Sequence, residues 1–162
     1  MNIFVLDYDK KLAAKYHCDK HIVKMTTETA QMVSFTHRII NDNHLPEFIM
    51  NISKSQVSHP CTKWARESYE NFIWLCEFGM ELYNEYQNRY NKPDKHQRSK
   101  NIFQWSLKNP PNLPKKGLTK FPLAMPDDVK TNDVVESYRN FYIKYKKDFA
   151  EWKHSEKPKW FK

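Results

Sequence analysis

Between Asp7 and Ile40 the chain contains neither proline nor glycine, so nothing in that stretch interrupts a helix. Asp7 or Asp9 offers a capping carboxylate at its start, and the sequence predicts one long first helix ending near Ile40. Cys18, Ile22, Met25, Thr29, Met32, Val33 and Thr36 are spaced for a buried face. His17, His21, Lys24, Glu28 and Gln31 form a second line that is wholly polar. The apolar residues 3–6 ahead of the helix read as a strand or a buried extended arm.

Residues 41–58 mix Asn, Asp, His, Pro and Ser around one apolar patch, as a loop with a short helical turn would. Pro60 suits a first helical position, and Ala65, Phe72, Leu75, Cys76, Leu82 and Tyr86 continue a second long helix to about Lys92-Pro93. A shorter helical pattern covers residues 95–107. The prolines of segment 109–126 then exclude regular structure. Asn132 or Asp133 starts a last helix, with Asp133 and Glu136 at capping-box spacing and Val135, Tyr138, Tyr142, Tyr145 and Phe149 on one face. The expected fold is an all-α, single-domain bundle over residues 1–162: two long helices, two shorter ones, a short extended N-terminal arm and a Pro-rich basic loop.

Hydrophobic residues make up 40% of the 162 and charged residues 28%, arranged in helical stripes, which fits neither a membrane protein nor a disordered chain. The only two glycines, Gly79 and Gly117, exclude P-loop and dinucleotide-binding turns, which need several. Three cysteines and an early acidic residue, Asp7, point to a reducing, cytoplasmic setting without a signal peptide.

The net charge is +8, and residues 92–120 carry +7 of it. A solvated basic loop would look the same. However, Trp105, Phe121, Trp152, Trp160 and Phe161 lie within or near the basic regions, and unstacked bases pack on such rings while cations hold phosphates. Nucleic acid or a nucleotide is therefore the leading partner, contacted by Lys63, Arg66, Lys95, Arg98, Lys100, Lys115, Lys116, Lys120 and Trp160. Composition does not separate DNA from RNA. No membrane surface is expected.

The polar line supplies the chemistry. His17, His21, Lys24 and Glu28, with Asp19 beside them, bear groups that exchange protons near neutral pH or attack a sugar carbon. A surface Lys24–Glu28 ion pair with locally bonded histidines is the plain alternative. His59, before Pro60, stands at a helix start that favours an anion, or acts simply as a cap. His17 and His21 at i, i+4, with His59 and Cys18 or Cys61, have the makings of a zinc site. The usual Cys-x-x-Cys and His-Glu-x-x-His spacings are missing, so neither cofactor nor metal is assigned.

Several short motifs occur in a telling order. They are the Ile3-Phe4-Val5-Leu6 arm, Leu12-Ala13-Ala14 leading to His17, Ala30-Gln31-Met32-Val33, His59-Pro60 before a long helix, and a Lys157-Pro158-Lys159-Trp160-Phe161 ending. In these the chain resembles small phage-type proteins grouped with the pyrimidine-dimer DNA glycosylases of the endonuclease V type. The resemblance implies a mostly helical protein that binds DNA across a basic face. It also implies that an α-amine, exposed by removal of the initiator methionine, attacks the sugar with help from a first-helix carboxylate, and that strand cleavage follows base removal. Here Asn2 is large enough to hinder methionine removal, and the position aligned with the carboxylate carries Lys24, with Glu28 one turn later. Lys24, assisted by Glu28 or Asp19, is then a second possible imine-forming nucleophile.

The expected function is DNA processing by a glycosylase/AP-lyase-like enzyme on a damaged or modified pyrimidine, with catalytic candidates His17, Asp19, His21, Lys24, Glu28 and His59. A non-catalytic nucleic-acid- or nucleotide-binding protein is the alternative from another class. A zinc-dependent hydrolase or nuclease is the third.

Overall fold

The computed structural model describes residues 1–41 and 43–162. Seven α-helices and one 3-10 turn form its regular structure, with no strand among the described residues. The all-α expectation holds, but both long helices are divided. Helix α1 (Lys10–Tyr16) begins at Asp9, whose side chain accepts the Leu12 N–H. His17 and Cys18 then take extended backbone, and α2 (Asp19–Ile40) starts afresh.

Hydrogen bonds from distant parts of the chain make this first break. The Asp19 N–H donates to the Glu151 carbonyl (2.8 Å), and the Asp19 carboxylate accepts from Arg89 (3.0 Å) and from the Lys153 N–H (2.6 Å). Arg89 also donates to the Lys15 carbonyl at the end of α1 (2.9 Å). The polar groups freed at the break are thus paired, as buried backbone requires.

Helix α3 (Lys54–Val57) is the short turn expected within the loop. Helix α4 (Pro60–Ala65) ends at Arg66, and α5 (Tyr69–Tyr90) begins after Ser68, which splits the predicted second long helix. Ser68 accepts the Asn71 N–H (3.1 Å) and donates to the Gly117 carbonyl (2.9 Å), while the Tyr69 N–H donates to Pro114 (2.9 Å). The division therefore sits where the Pro-rich loop is tied down. The Thr119 N–H donates to the Asn71 side chain (2.9 Å) and the Gly117 N–H to Glu70 (3.0 Å), so this loop is strapped along α5. Gly117 adopts φ +85°, a left-handed conformation that favours glycine.

Helices α6 (Gln97–Lys108) and α7 (Val134–Tyr145) are the two shorter ones. Asp133 caps α7 by accepting the Glu136 N–H (2.7 Å). Helix α7 stops at Tyr145, so Phe149 lies in a following turn and not on the helical face assigned to it. The core is built on α2 against α5, with α6 packed on both. Residues 3–6 run through it as an extended arm, each at most 5% exposed. No helix among the described residues is long and apolar enough to cross a membrane.

Gly79 lets α6 approach α5 closely. A Cβ there would stand 2.4 Å from Cε1 of Phe103, a ring with no exposed surface. Gly79→Ala gains up to about 1 kcal/mol of helix propensity but overpacks a ring that cannot move aside, at about 1–3 kcal/mol. We expect a net loss of stability, read as a lower urea midpoint with unchanged slope; an unchanged or raised midpoint would show that the ring yields.

Candidate active site

The buried arm ends where its first residue meets α2. The Met1 α-amine lies 3.3 Å from Glu28 Oε2, and the Lys24 ammonium lies 3.5 Å from Oε1 of the same carboxylate. Lys24 is mostly exposed, whereas Glu28 is only 17% exposed. Glu28 Oε2 is sealed from solvent and has no hydrogen-bond partner among the described residues besides its ion pair with the amine. One carboxylate thus holds two amines of different kinds, one fixed and one mobile.

A small cavity of about 150 Å³ opens beside this pair, bounded also by Phe4, His21, Phe141 and Lys146. Lys146 was not anticipated from the sequence. It follows α7, packs its ammonium 4.6 Å from the centre of the Phe141 ring, and is half-buried. Burial lowers its pKa, and repulsion from Lys24 across the cavity lowers it further. A larger hollow of about 500 Å³, between Tyr8, Lys120, Phe121 and Asn132, has no carboxylate or histidine among its described lining. The smaller cavity, by contrast, is lined by Glu28 and His21 together with the α-amine.

The predicted polar line is only partly brought together. Lys24 and Glu28 face the cavity, and His21 lines it from beneath as a buried ring stacked on Phe4 (4.7 Å). Nδ1 of His21 lies 2.6 Å from the Tyr142 hydroxyl. A neutral imidazole accepting that hydroxyl proton satisfies both groups. Burial first, then His17, Lys146, Lys24 and Lys20, push the His21 pKa down to about 2.

His17 precedes the break between α1 and α2 and turns into the core, fully buried, with Nδ1 donating to the Ala13 carbonyl (2.8 Å). Burial lowers its pKa to about 4. Asp19 is occupied by Arg89 and the Lys153 N–H. His17 and Asp19 therefore lie outside the cavity, because the helix break turns them away from the face that Lys24 and Glu28 share.

His59 accepts the Cys61 N–H (3.2 Å) as the cap of α4. Burial lowers its pKa, and so does the nearby α-amine, while Glu28 opposes them. His59 thus lies within the electrostatic reach of the amine–carboxylate pair without lining the cavity. Among the described residues no three His, Cys, Asp or Glu side chains come together to hold a metal ion. The residues weighed for zinc are dispersed: Cys18 and Cys61 are buried, and Cys61 turns its thiol toward Asn2.

The basic residues are mostly at the surface. Lys63, Lys95 and Lys120 are exposed, and Arg98 donates to the Phe48 carbonyl (2.7 Å). Lys100 and Lys115 lie over Tyr83 and Tyr69, and Lys116 pairs with Glu67 (3.6 Å). Arg66 is half-buried, with Nη1 lacking a hydrogen-bond partner among the described residues. The aromatic residues expected to receive bases are engaged by the protein itself. Trp105 packs on His37, Phe121 stacks on Trp64, Trp152 meets Phe161, and Trp160 packs against Tyr16 and under Arg139. Their sequence spacing gave no sign of this, because these partners come from other elements.

An α-amine and a largely buried carboxylate thus meet at the head of an arm fixed in an all-helical core. The chain belongs to the pyrimidine dimer DNA glycosylase family, whose model matches residues 1–98. No curated protein and no solved structure matches the chain.

Buried neutral histidines make stability depend on pH. His17 and His37 are held near pKa 4 and His21 near 2, each below the unfolded value of about 6.5. Below pH 6.5 the unfolded chain binds protons that the folded one refuses, so stability is complete above that pH and falls as pH drops toward 4. Each histidine contributes at most about 1.4 kcal/mol per pH unit. We expect the urea midpoint to fall steadily from pH 7 to pH 4.5; a flat or rising midpoint would mean that these rings are charged in the folded protein.

Proposed function

We propose that the chain is a DNA glycosylase with a linked lyase step, acting on pyrimidine-dimer damage in DNA, and that the amine on Glu28 is its nucleophile. The observation that carries this reading is the 3.3 Å contact between the Met1 α-amine and a carboxylate oxygen sealed from solvent. Family membership supports DNA repair as the setting.

In the proposed reaction the neutral amine attacks C1′ of the damaged nucleotide, and the glycosidic C–N bond breaks. The base leaves with the bonding electrons and takes a proton. Glu28 accepts a proton from the attacking nitrogen and returns it to O4′ as the C1′–O4′ bond breaks and the sugar opens to a protonated imine. Loss of a C2′ proton then expels the 3′ phosphate, and water hydrolyses the imine to release the amine. Of the two amines on Glu28, the α-amine suits this role better: it is held at the carboxylate oxygen sealed from solvent, whereas Lys24 is mostly exposed. Lys24 and Lys146 flank the cavity with positive charge for the substrate's phosphates. His59 lies within electrostatic reach of the same charge pair, and His21 fixes Phe4 beneath it. Lys95, Lys100, Lys115, Lys116 and Lys120, with Lys63, Arg66 and Arg98, are assigned to the DNA backbone. Trp160 supports Arg139.

The test is borohydride trapping on a duplex containing an abasic site. The amine condenses with the C1′ aldehyde, water leaves with the aldehyde oxygen, and hydride reduces the imine to a stable amine. Wild type and Lys24→Ala should both give a covalent adduct, and Glu28→Gln should form it about 100-fold or more slowly, the scale of a lost acid–base group. No adduct from wild type would overturn the lyase reading, and an adduct lost only with Lys24→Ala would transfer the chemistry to Lys24. A wild type that binds damaged duplex without turnover would instead favour the non-catalytic binding protein.

Reversing charge at Lys95, Lys100, Lys115 and Lys116 should weaken duplex binding and flatten its salt dependence, by about 0.9 in log–log slope for each phosphate no longer neutralised. Binding that survives all four reversals with its slope intact would place the DNA on another face.

A further inference from the structure

We infer that the reacting amine belongs to Met1 itself: the methionine is kept, and its side chain anchors the amine on Glu28. This rests on the α-amine reading above and goes beyond it, since the family resemblance implies an amine exposed by methionine removal.

Three features of the arm carry the inference. First, the Met1 side chain is 1% exposed and packs against the core, and its sulfur accepts a hydrogen bond from the Thr62 hydroxyl (3.3 Å). Ordering a terminal residue costs conformational entropy, and chain ends fray unless something ties them down. Here the thioether is the tie, and it leaves the amine one rigid residue away from the carboxylate.

Second, Asn2 sits in a socket built for its side chain. Its amide nitrogen donates to the Ala124 carbonyl (2.9 Å). Its oxygen accepts from the Ile3 N–H (2.8 Å), the Tyr138 hydroxyl (2.9 Å) and, more weakly, the Cys61 thiol (3.6 Å). These contacts fix residue 2 in the wall of the cavity, only 8% exposed. A side chain of this size in the second position also hinders removal of the methionine before it.

Third, the spacing allows no substitute. Successive Cα atoms are about 3.8 Å apart, so an amine transferred to residue 2 would lie roughly one residue back along the arm. The contacts of the Asn2 side chain hold residue 2 at that position. The empty methionine site would also leave the Thr62 hydroxyl without its sulfur partner.

The experiment has two arms. In the first, the protein as isolated is weighed intact, and its borohydride adduct with abasic duplex is cleaved and mapped. We expect the full mass including Met1, with the adduct on the N-terminal peptide that carries it. In the second, chains released from a cleavable fusion begin at Met1, at Asn2, or at a single glycine placed before Met1, and thermal unfolding confirms that each is folded. We expect the Met1 form to trap as the isolated protein does, and the other two to trap about 100-fold more slowly, the scale for a reacting group displaced by an ångström or more. An isolated chain lacking methionine with its adduct on Asn2, or an Asn2 form that traps as fast as the Met1 form, overturns the inference and leaves the α-amine reading standing. An adduct mapped to Lys24, or none from any form, overturns both. The peptide map decides the matter even if the shortened chain does not fold.

Discussion

The arm is the constraint on which everything else in this molecule depends. Residues 3–6 are extended and almost wholly buried, so their side chains must be surrounded by helices on every side while their backbone still finds partners. Burying such side chains stabilises the fold by about 1.5–3 kcal/mol each. The backbone is served in part locally, by the Leu6 N–H on the Phe4 carbonyl (3.0 Å), and in part by Arg139 of α7, which donates to the Leu6 carbonyl (2.9 Å). An arm held this way has one exit, and its first residue emerges against α2. The meeting of amine and carboxylate is therefore a consequence of core packing, not of an attraction between two surface charges, which would be worth little in water.

The same packing sets the charge states around the meeting point. Phe4 presses on His21 and, more edgewise, on His17, so both rings stay neutral and act as polar struts. Lys24, Lys146 and the amine line a cavity in which Glu28 is the one carboxylate among the described residues, with Lys24 and the amine paired to it. This leaves an excess of positive charge facing the cavity. It also explains why His21 belongs to the site without being a strong candidate for proton transfer: a ring whose pKa is held near 2 carries no proton to give near neutral pH.

The stripes, caps and loop were legible in the sequence because each depends on neighbours within a few residues. Asp9 and Asp133 cap the helices assigned to them, and α6 and α7 lie within a few residues of their expected bounds. The helix divisions were not legible, because Glu151, Arg89, Pro114 and Gly117 make them and none is close in sequence. This one gap displaced two site candidates. A continuous helix puts His17 on the line of Lys24 and Glu28, whereas the turn at His17–Cys18 sends it into the core. Lys24 and Glu28 were legible as neighbours because they share one face of α2 and the spacing survives folding. Of the two, the resemblance favoured the position of Lys24 for the carboxylate. The structure brings the amine to Glu28, since a helical turn returns a side chain to the same face about 5.4 Å further on.

The family match ends at residue 98, yet the site does not. The matched part supplies the arm, Glu28, Lys24 and His59. The socket of Asn2 is completed by Ala124 and Tyr138, and the far wall of the cavity by Phe141 and Lys146. Tyr138 also donates toward the Pro122 carbonyl (2.7 Å), so the end of the Pro-rich loop, α7 and the arm share one buried hydroxyl. The Tyr138 hydroxyl, with one proton to give, is within hydrogen-bond reach of both acceptors. The last third of the chain thus helps to build the wall beside the amine–carboxylate pair, and sequence differences there bear on its geometry as directly as those within the matched segment.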